Sequence, residues 1–325
     1  MQTIKSLQQL IEKELRQIQF PAQPEDLYLP IRYMLEAGGK RIRPALLLIA
    51  CEMFEVNIQK ALPAALAIEV FHNFTLLHDD LMDNAPLRRS KPTVHEKWNH
   101  NIAILSGDAM FAKSYQLLMQ VSDAHIRPVM NIFTRTAAEV CEGQQMDMCF
   151  EKDSNISIQQ YMKMIELKTA VLVGCSLQLG AIIAGADDEQ SKHLYEFGKN
   201  IGIAFQLQDD LLDIYGEAEK FGKQTGGDII SNKKTFLLLK AKELANAQQL
   251  SILNQWMNVE VTGQEQQKII AIKNLFDTLE IRKYVEQEIE NYYNNAVQHL
   301  NALLISAEKK SILQQFAGQL IVREV

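Results

Sequence analysis

Apolar residues recur along most of this chain at three- and four-residue spacing rather than in alternation. Ile158, Tyr161, Met162 and Ile165 form one such series, taken up again at Leu172. That is the period of a helix with one buried face. The pattern predicts helices over residues 62–83, 101–121, 126–150, 157–184, 189–215 and 232–248, and also over the first 20 residues and 275–305. Strand-like alternation is scarce. All eight prolines fall at or before Pro128, and a long proline-free stretch suits long helices. Residues 21–30 join the first helix to the rest. Two polar loops interrupt the pattern: 84–99, with Pro86 and Pro92, and 216–232, with Gly222, Gly226 and Gly227. No low-complexity linker divides the chain. The expectation is one all-α domain over residues 1–325, in which 249–270 and 300–325 carry no functional signal.

Composition narrows the function without naming it. Of the 325 residues, 47% are hydrophobic and 22% charged, which excludes a disordered chain, a collagen-like chain and a disulfide scaffold. A formal net charge of −7 argues against a nucleic-acid partner. Cys51, Cys141, Cys149 and Cys175 show no CxxC or zinc-ligand spacing and read as buried thiols in a reducing compartment. The polar start has no signal-peptide core, and no run of 18 apolar residues suggests a membrane span. The cytoplasm is the expected location.

One short string occurs twice. HDDLMD (78–83) and QDDLLD (208–213) each end an apolar helix and precede a polar loop. Asp79 and Asp83 are four apart and share a helical face, with Asp80 adjacent. Asp209 and Asp213 repeat the spacing, with Asp210 adjacent. Like charges so placed repel, by about 0.2–0.5 kcal/mol per exposed pair and by more in apolar surroundings. One copy reads equally as a solvated helix end. Two copies, each followed by a basic loop, point to bound cations. Carboxylate oxygens select Mg²⁺ or Ca²⁺, and neither copy has the loop of an EF-hand. Mg²⁺ commonly bridges one or two carboxylates to substrate phosphates.

Basic groups accompany the acids. GGKRIRP (38–44) sets three cations beside two glycines. Arg88-Arg89 lies just past Asp83, Lys168-Thr169 interrupts an apolar helix, and Lys223 and Lys233-Lys234 flank the second loop. Each is a weak signal alone. Together they describe metal ions and cations that collect phosphate and make diphosphate a leaving group.

Those residues resemble a known family. LLHDDLMDNAPLRRSKPTVH, GGKRIRP, ELKTA, FQLQDDLLDIYG and GKQTGGD are similar to motifs of the trans-isoprenyl diphosphate synthases, over about residues 35–240. The resemblance implies an isoprenoid-synthase-type helical bundle around a deep central cavity, usually a homodimer. It implies head-to-tail condensation of isopentenyl diphosphate with an allylic diphosphate, assisted by three Mg²⁺ ions. Carried over by motif, Asp79, Asp83 and Asp209 are the Mg²⁺ ligands, supported by Asp80, Asp210 and Asp213. Arg88, Lys168, Lys223 and Lys233 take the allylic diphosphate. Lys40, Arg43, His72 and Arg89 take isopentenyl diphosphate. Thr169 and Gln206 place dipoles beside the developing allylic cation. Gln144 and Asp147 also match a family motif. Two departures stand out. Ser90 replaces the usual glycine after the arginine pair, and Phe236-Leu237 replaces a common Tyr-Pro. The chain end, IVREV, has no recognisable basic tail.

Product length depends on how far a chain can grow along the first acidic helix, at about 5 Å, one helical turn, per five-carbon unit. Phe74, five before Asp79, and Phe71, eight before, are expected to form a floor, with Thr75 beside them. HNFTLLHDD resembles archaeal-type geranylgeranyl synthases, so a C20 product is expected, with C15 (farnesyl) as the alternative. A class I terpene cyclase fits less well, because its second metal motif is normally of another type. A non-catalytic helical partner subunit would lack the acidic motifs.

Overall fold

The helical spacing becomes a succession of helices in the computed structural model, which describes residues 2–153, 155–216, 226–257 and 263–321. The first four are α1 (Ile4–Gln17), α2 (Glu25–Glu36), α3 (Ile42–Met53) and α4 (Leu62–Met82). A two-residue antiparallel hairpin follows, β1 (Leu87–Arg88) with β2 (Lys91–Pro92), then the single turn α5 (Val94–Lys97). Next come α6 (His100–Leu118) and α7 (Asp123–Lys152). α8 (Ile158–Ile165) passes through a π-helical turn, Glu166–Ala170, into α9 (Val171–Ile183). α10 (Asp188–Tyr215) carries the second acidic motif. The remaining helices are α11 (Gly227–Ile230), α12 (Phe236–Leu244), α13 (Ala247–Met257), α14 (Glu265–Thr278), α15 (Ile281–Ala302) and α16 (Ala307–Ile321).

The structure departs from the spacing where local chemistry overrides it. The helix expected at 232–248 stops at Ala245, which is extended, and restarts through a reciprocal cap: the Asn246 and Gln249 N–H groups each donate to the other's side chain at 2.9 and 3.0 Å. The helix expected at 275–305 is two, parted at Glu280, whose φ of 54° no α-helix accommodates. The segment 21–30 is not merely a joint, because α2 begins at Glu25 and takes Pro30 into its buried face. The stretches 249–270 and 300–325 contribute α13, α14 and α16. All four cysteines are free, but Cys141 and Cys149 are exposed rather than buried. They sit on the outward face of α7 with Ala138 and Gln145.

The chain packs as two compact units, with the divisions falling inside α7, α9, α10 and α16 and at the end of α15. The first comprises Met1–Thr136, Leu172–Tyr195 and Leu303–Lys310. Its core is α3, buried at every position from Pro44 to Cys51, with α4, buried continuously from Ala64 to Phe71. Close approach is bought by glycine. A Cβ at Gly180 of α9 would lie 2.1 Å from the Leu47 carbonyl oxygen, and one at Gly107 of α6 would lie 2.1 Å from His78 Nε2.

The second unit comprises Ala137–Val171, Glu196–Ala302 and Ser311–Val325. Its core gathers Tyr161, Leu207, Leu211, Leu237, Phe276, Ile281 and Val285. Two glycines flank the π turn. A Cβ at Gly143 of α7 would meet the Lys168 backbone nitrogen at 2.2 Å, and one at Gly202 of α10 would meet Ala170 Cα at 2.7 Å. The continuous stretch Ile158–Ile183 is long and apolar enough to cross a bilayer, with a mean hydropathy of 1.4, but 78% of that window is buried in the protein. It is a core helix.

Gly180→Ala drives a methyl group into the Leu47 carbonyl and is expected to cost about 1–3 kcal/mol. Urea denaturation checks this, and a variant as stable as the parent contradicts the packing described.

Candidate active site

α4 is mainly apolar, interrupted by Glu69, His72, Asn73 and Thr75, and near its end carries Asp79 and Asp80, with Asp83 as its C-cap. The three carboxylates do not share one environment. Asp80 points inward and is 2% exposed. Asp79 is partly buried, and Asp83, the C-cap, is exposed. Burial raises the Asp80 pKa, against the pull of Arg88. Arg88 Nε donates to both Asp80 oxygens, at 2.7 and 2.8 Å, and Arg88 Nη2 reaches Asp79 Oδ2 at 3.5 Å.

The hairpin that delivers Arg88 is tied to the same helix end. The Ala85 N–H donates to the Asp80 carbonyl at 2.9 Å, Thr93 Oγ1 to the Ala85 carbonyl at 2.7 Å, and Tyr33 Oη to the Pro92 carbonyl at 2.8 Å. Its turn residues, Arg89 (φ 52°) and Ser90 (φ 61°), are both left-handed. A two-residue hairpin turn of this hand requires positive φ at both positions. Ser90 therefore occupies a place where glycine would be unstrained.

The turn aims Arg89 at the glycine loop. Arg89 Nη1 donates to the Gly38 carbonyl, and a Cβ at Gly39 (φ 142°) would lie 2.9 Å from the guanidinium. Beside it, Arg43 Nη1 is 3.2 Å from His72 Nε2. An arginine only donates, so this ring nitrogen accepts and the imidazole is neutral. Burial, with Arg43, Arg89, Arg88 and Arg41 around it, holds the His72 pKa well below its ordinary value. The structure thus brings Arg43, His72 and Arg89 together; Lys40, in the same loop, is exposed.

Arg41, from the same motif, does something else. It is 3% exposed and donates to Glu12 (3.0 Å), Glu69 (2.6 Å) and the Leu35 carbonyl (2.5 Å). Burial pulls its pKa down, but Glu69 and Glu12 more than reverse this. Its charge is consumed in holding α1, α2 and α4 to the loop. Sequence reading did not separate it from Lys40 and Arg43.

The expected floor is an aromatic cluster. Phe71 is 0% exposed, between Phe74, Phe111 and Phe133 at centroid distances of 5.5, 6.0 and 5.1 Å. Phe74 is only partly buried, against Phe111 at 5.2 Å and His78 at 4.8 Å. Thr75 turns its hydroxyl back to the His72 carbonyl, 2.8 Å away.

In the second unit Asp210 is the inward carboxylate, 2% exposed. It has no arginine. Tyr161 Oη donates to one oxygen, and Gln206 Nε2 to the other at 3.1 Å. Burial pushes the Asp210 carboxyl up to about 7; Lys233, Tyr161 and Gln206 pull against this and Asp228 adds to it. Thr169 Oγ1 donates to Gln206 Oε1 at 3.4 Å, so one chain of bonds runs from Thr169 to Tyr161. Lys168 Nζ is 2.6 Å from Asp147 Oδ2. Both Lys168 and Thr169 project from the π turn, a distortion frequent at functional sites. Asp213 Oδ2 accepts from the Asp228 N–H at 2.9 Å, and Lys233 Nζ lies 3.9 Å from Asp228 Oδ1. Asp209 is partly buried, as is Gln144. Tyr161, Asp228 and Gly143 are not among the site residues expected from sequence, although Asp228 lies inside GKQTGGD and Gly143 opens GQQMD, the motif of Gln144 and Asp147. Lys223 and the chain end 322–325 lie outside the described residues.

The donor chemistry fits Mg²⁺. Both acidic motifs present hard carboxylate oxygens in less buried positions, at Asp79, Asp83 and Asp209. Among the described residues no group of three or more His, Cys, Asp or Glu converges into a complete metal cage.

Two acidic helix ends, each wired to basic and polar partners in an all-α chain, define a class of diphosphate-handling enzyme, and comparison with known proteins specifies it. Residues 24–275 match the Polyprenyl synthetase family, and the chain belongs to that family. It is 38% identical to a geranylgeranyl diphosphate synthase of Methanosarcina mazei, over 93% of this chain and 91% of that one. It is 40% identical to a geranylfarnesyl diphosphate synthase of Natronomonas pharaonis, over 69% of this chain and 72% of that one. A crystal structure of a geranylgeranyl pyrophosphate synthase superposes with a TM-score of 0.95 at 44% identity, covering 100% of both chains.

Ser90→Gly removes the left-handed strain at the hairpin and is expected to raise stability by up to about 1 kcal/mol, read as a higher midpoint in denaturant; a lowered midpoint contradicts the strain. The His72 pKa, depressed below its ordinary 6.5, has a consequence with a definite sign. Below pH 6.5 the unfolded chain takes up a proton that the folded chain refuses, so this contribution to stability is complete above pH 6.5 and declines as the pH falls. His72→Gln is expected to flatten stability against pH on the acid side. An unaltered slope argues against a neutral His72.

Proposed function

We propose that the chain condenses isopentenyl diphosphate head-to-tail with an allylic diphosphate (dimethylallyl, geranyl or farnesyl), giving a short all-trans prenyl diphosphate, with C20 geranylgeranyl diphosphate as product. The observation that carries this reading is the wiring of an acidic helix end to the arginine hairpin through Arg88 and Asp80. The names of the similar proteins support the product class.

Asp79 and Asp83 in the first unit, and Asp209 in the second, are the proposed carboxylate ligands of three Mg²⁺ ions. When bound, Mg²⁺ supplies charge neutralisation that makes diphosphate a leaving group. Arg88 pairs with Asp80, pulling against the effect of its burial, and helps hold the allylic diphosphate, with Lys168, Lys223 and Lys233. Lys40, Arg43 and Arg89 hold isopentenyl diphosphate. Neutral His72, accepting from Arg43, orients that guanidinium without adding charge. Thr169 fixes the Gln206 amide, so that its dipole and the Thr169 hydroxyl oxygen face developing positive charge. In the reaction the allylic C–O bond breaks and its electron pair leaves with diphosphate. The isopentenyl double bond then supplies the pair for the new C–C bond, and a proton passes to the released diphosphate. Residues 1–325 act as one catalytic domain, read as a homodimer in the cytoplasm.

The decisive assay offers Mg²⁺, labelled isopentenyl diphosphate and a panel of allylic diphosphates. Incorporation ending at C20 is expected. A C15 end point makes the chain a farnesyl diphosphate synthase, released hydrocarbon makes it a cyclase, and silence makes it a non-catalytic subunit. In the same assay Phe74→Ala is expected to lengthen the product by about one five-carbon unit, because Phe71 and Phe111 remain beneath. Unchanged chromatography of the dephosphorylated products removes Phe74 from the floor.

A further inference from the structure

The buried face of α14 runs Lys268, Ile269, Ile272, Leu275, Phe276. A lysine stands where the helical period asks for an apolar side chain, and it is 0% exposed. Burial pulls its pKa below the ordinary lysine value. No carboxylate among the described residues pairs with it. Its ammonium donates instead to the Ile230 carbonyl, at 3.3 Å, and to Asn232 Oδ1. A buried cation without a counter-charge is costly, and a methionine of similar length would avoid that cost. What the ammonium does that a methionine cannot is satisfy two acceptors at the end of α11.

Those acceptors sit where the second acidic motif is completed. Ile230 is the last residue of α11, and helix ends leave such carbonyls without a helical partner. Asn232 is left-handed, with φ 56°, and donates Nδ2 to the Met257 carbonyl at 3.3 Å. From there the backbone folds back on itself: the Lys233 N–H donates to the Asp228 carbonyl at 2.9 Å, and the Asp228 N–H to Asp213 Oδ2 at 2.9 Å. Ile269, next to Lys268, closes on the start of the same segment. A Cβ at Gly226 (φ 86°) would lie 2.7 Å from Ile269 Cδ1. α14 therefore grips the segment from Gly226 to Asn232 at both ends.

We propose that Lys268 is a positioning residue for diphosphate binding: by pinning Ile230 and Asn232 it holds Lys233 and Asp228 against Asp213. This rests on the reading of Lys233 and Asp213 given under the proposed function. It adds a residue some 55 positions past the second acidic motif, outside every motif that carries the resemblance.

The test compares Lys268→Met, Asn232→Ala and the double variant with the parent, in the full chain. Affinity for inorganic diphosphate with Mg²⁺ is measured by calorimetry, and the Lys233 and Asn232 amides by hydrogen exchange. Steady-state kinetics are run with each substrate varied. Lys268→Met is expected to weaken Mg²⁺–diphosphate binding about tenfold and raise KM for the allylic diphosphate about tenfold, with KM for isopentenyl diphosphate within about twofold. Exchange at the Lys233 amide accelerates. Asn232→Ala acts in the same direction, and the double variant is no worse than the stronger single one, because both remove one interaction. A lowered melting temperature with unchanged diphosphate affinity and unchanged Lys233 exchange overturns the proposal and leaves Lys268 as packing. Should Lys268→Met fail to fold, Asn232→Ala decides by the same readouts. Should the parent transfer no prenyl group, while Lys268→Met still loses diphosphate affinity, the functional reading falls and the positioning role stands.

Discussion

Two carboxylates, Asp80 and Asp210, are each 2% exposed near the C-terminal ends of α4 and α10, and the rest of the candidate site follows from that. An isolated carboxylate in such a place would neutralise itself by taking a proton. The two units meet the problem differently. Asp80 is met by a full charge, the Arg88 guanidinium contacting both oxygens. Asp210 is met by Tyr161 and Gln206, neutral donors, and its pKa climbs to about 7. The first solution needs an arginine delivered from outside the helix, hence the hairpin with its left-handed turn. The second needs donors built into α8 and α10, hence Tyr161 on the buried face of α8 and Gln206 one helical turn before Asp210. In both, the inward carboxylate anchors the helix end, and its neighbours, Asp79 and Asp83 or Asp209, are less buried.

The same economy governs the cations. Of the three in GGKRIRP, Arg41 is wholly enclosed by Glu12, Glu69 and the Leu35 carbonyl. Arg43 leans on a neutral imidazole. Arg89 lies against a glycine loop that could not hold a side chain at Gly39 without meeting its guanidinium. Lys168 owes its position to two absent methyl groups, at Gly143 and Gly202, which let α7 and α10 close on the π turn. Only Arg43 and Arg89 are placed by groups that add no negative charge, an imidazole and a backbone carbonyl; Lys168 and Arg88 are also paired with carboxylates, Asp147 and Asp80.

Much of this was legible in the sequence. Repeated DDxxD spacing marks two helix faces whatever surrounds them, and long apolar periodicity without proline leaves little choice but helices. What escaped shows where periodicity stops being informative. Tyr161 sits at a helical apolar position and was read as core; its ring is core, while its hydroxyl is the Asp210 partner. Lys268 falls on the buried stripe of α14, where a pattern reader counts it as an interruption. Gly143 and Gly202 have no side chain to signal their function, which is defined only by what lies across from them. The breaks at Ala245 and Glu280 depend on a reciprocal side-chain cap and one left-handed residue, neither of which alters hydrophobic spacing.

Chain length is where local packing and chemistry meet most directly. Phe71, expected to line the floor with Phe74, has no exposed surface and is bounded by Phe111 and Phe133. It packs behind Phe74 and presents no surface of its own. Phe74 presents the more accessible ring, packed against Phe111 at a tilt of 46° and against His78 edge-on at 67°. The Gly107 contact in turn locks His78 to α6. A rigid aromatic stack of this kind resists displacement by a growing hydrocarbon, because moving one ring requires repacking several. Similarity both to geranylgeranyl and to geranylfarnesyl synthases is then understandable in physical terms. A few substitutions in one small ring cluster can change its packing without changing the fold.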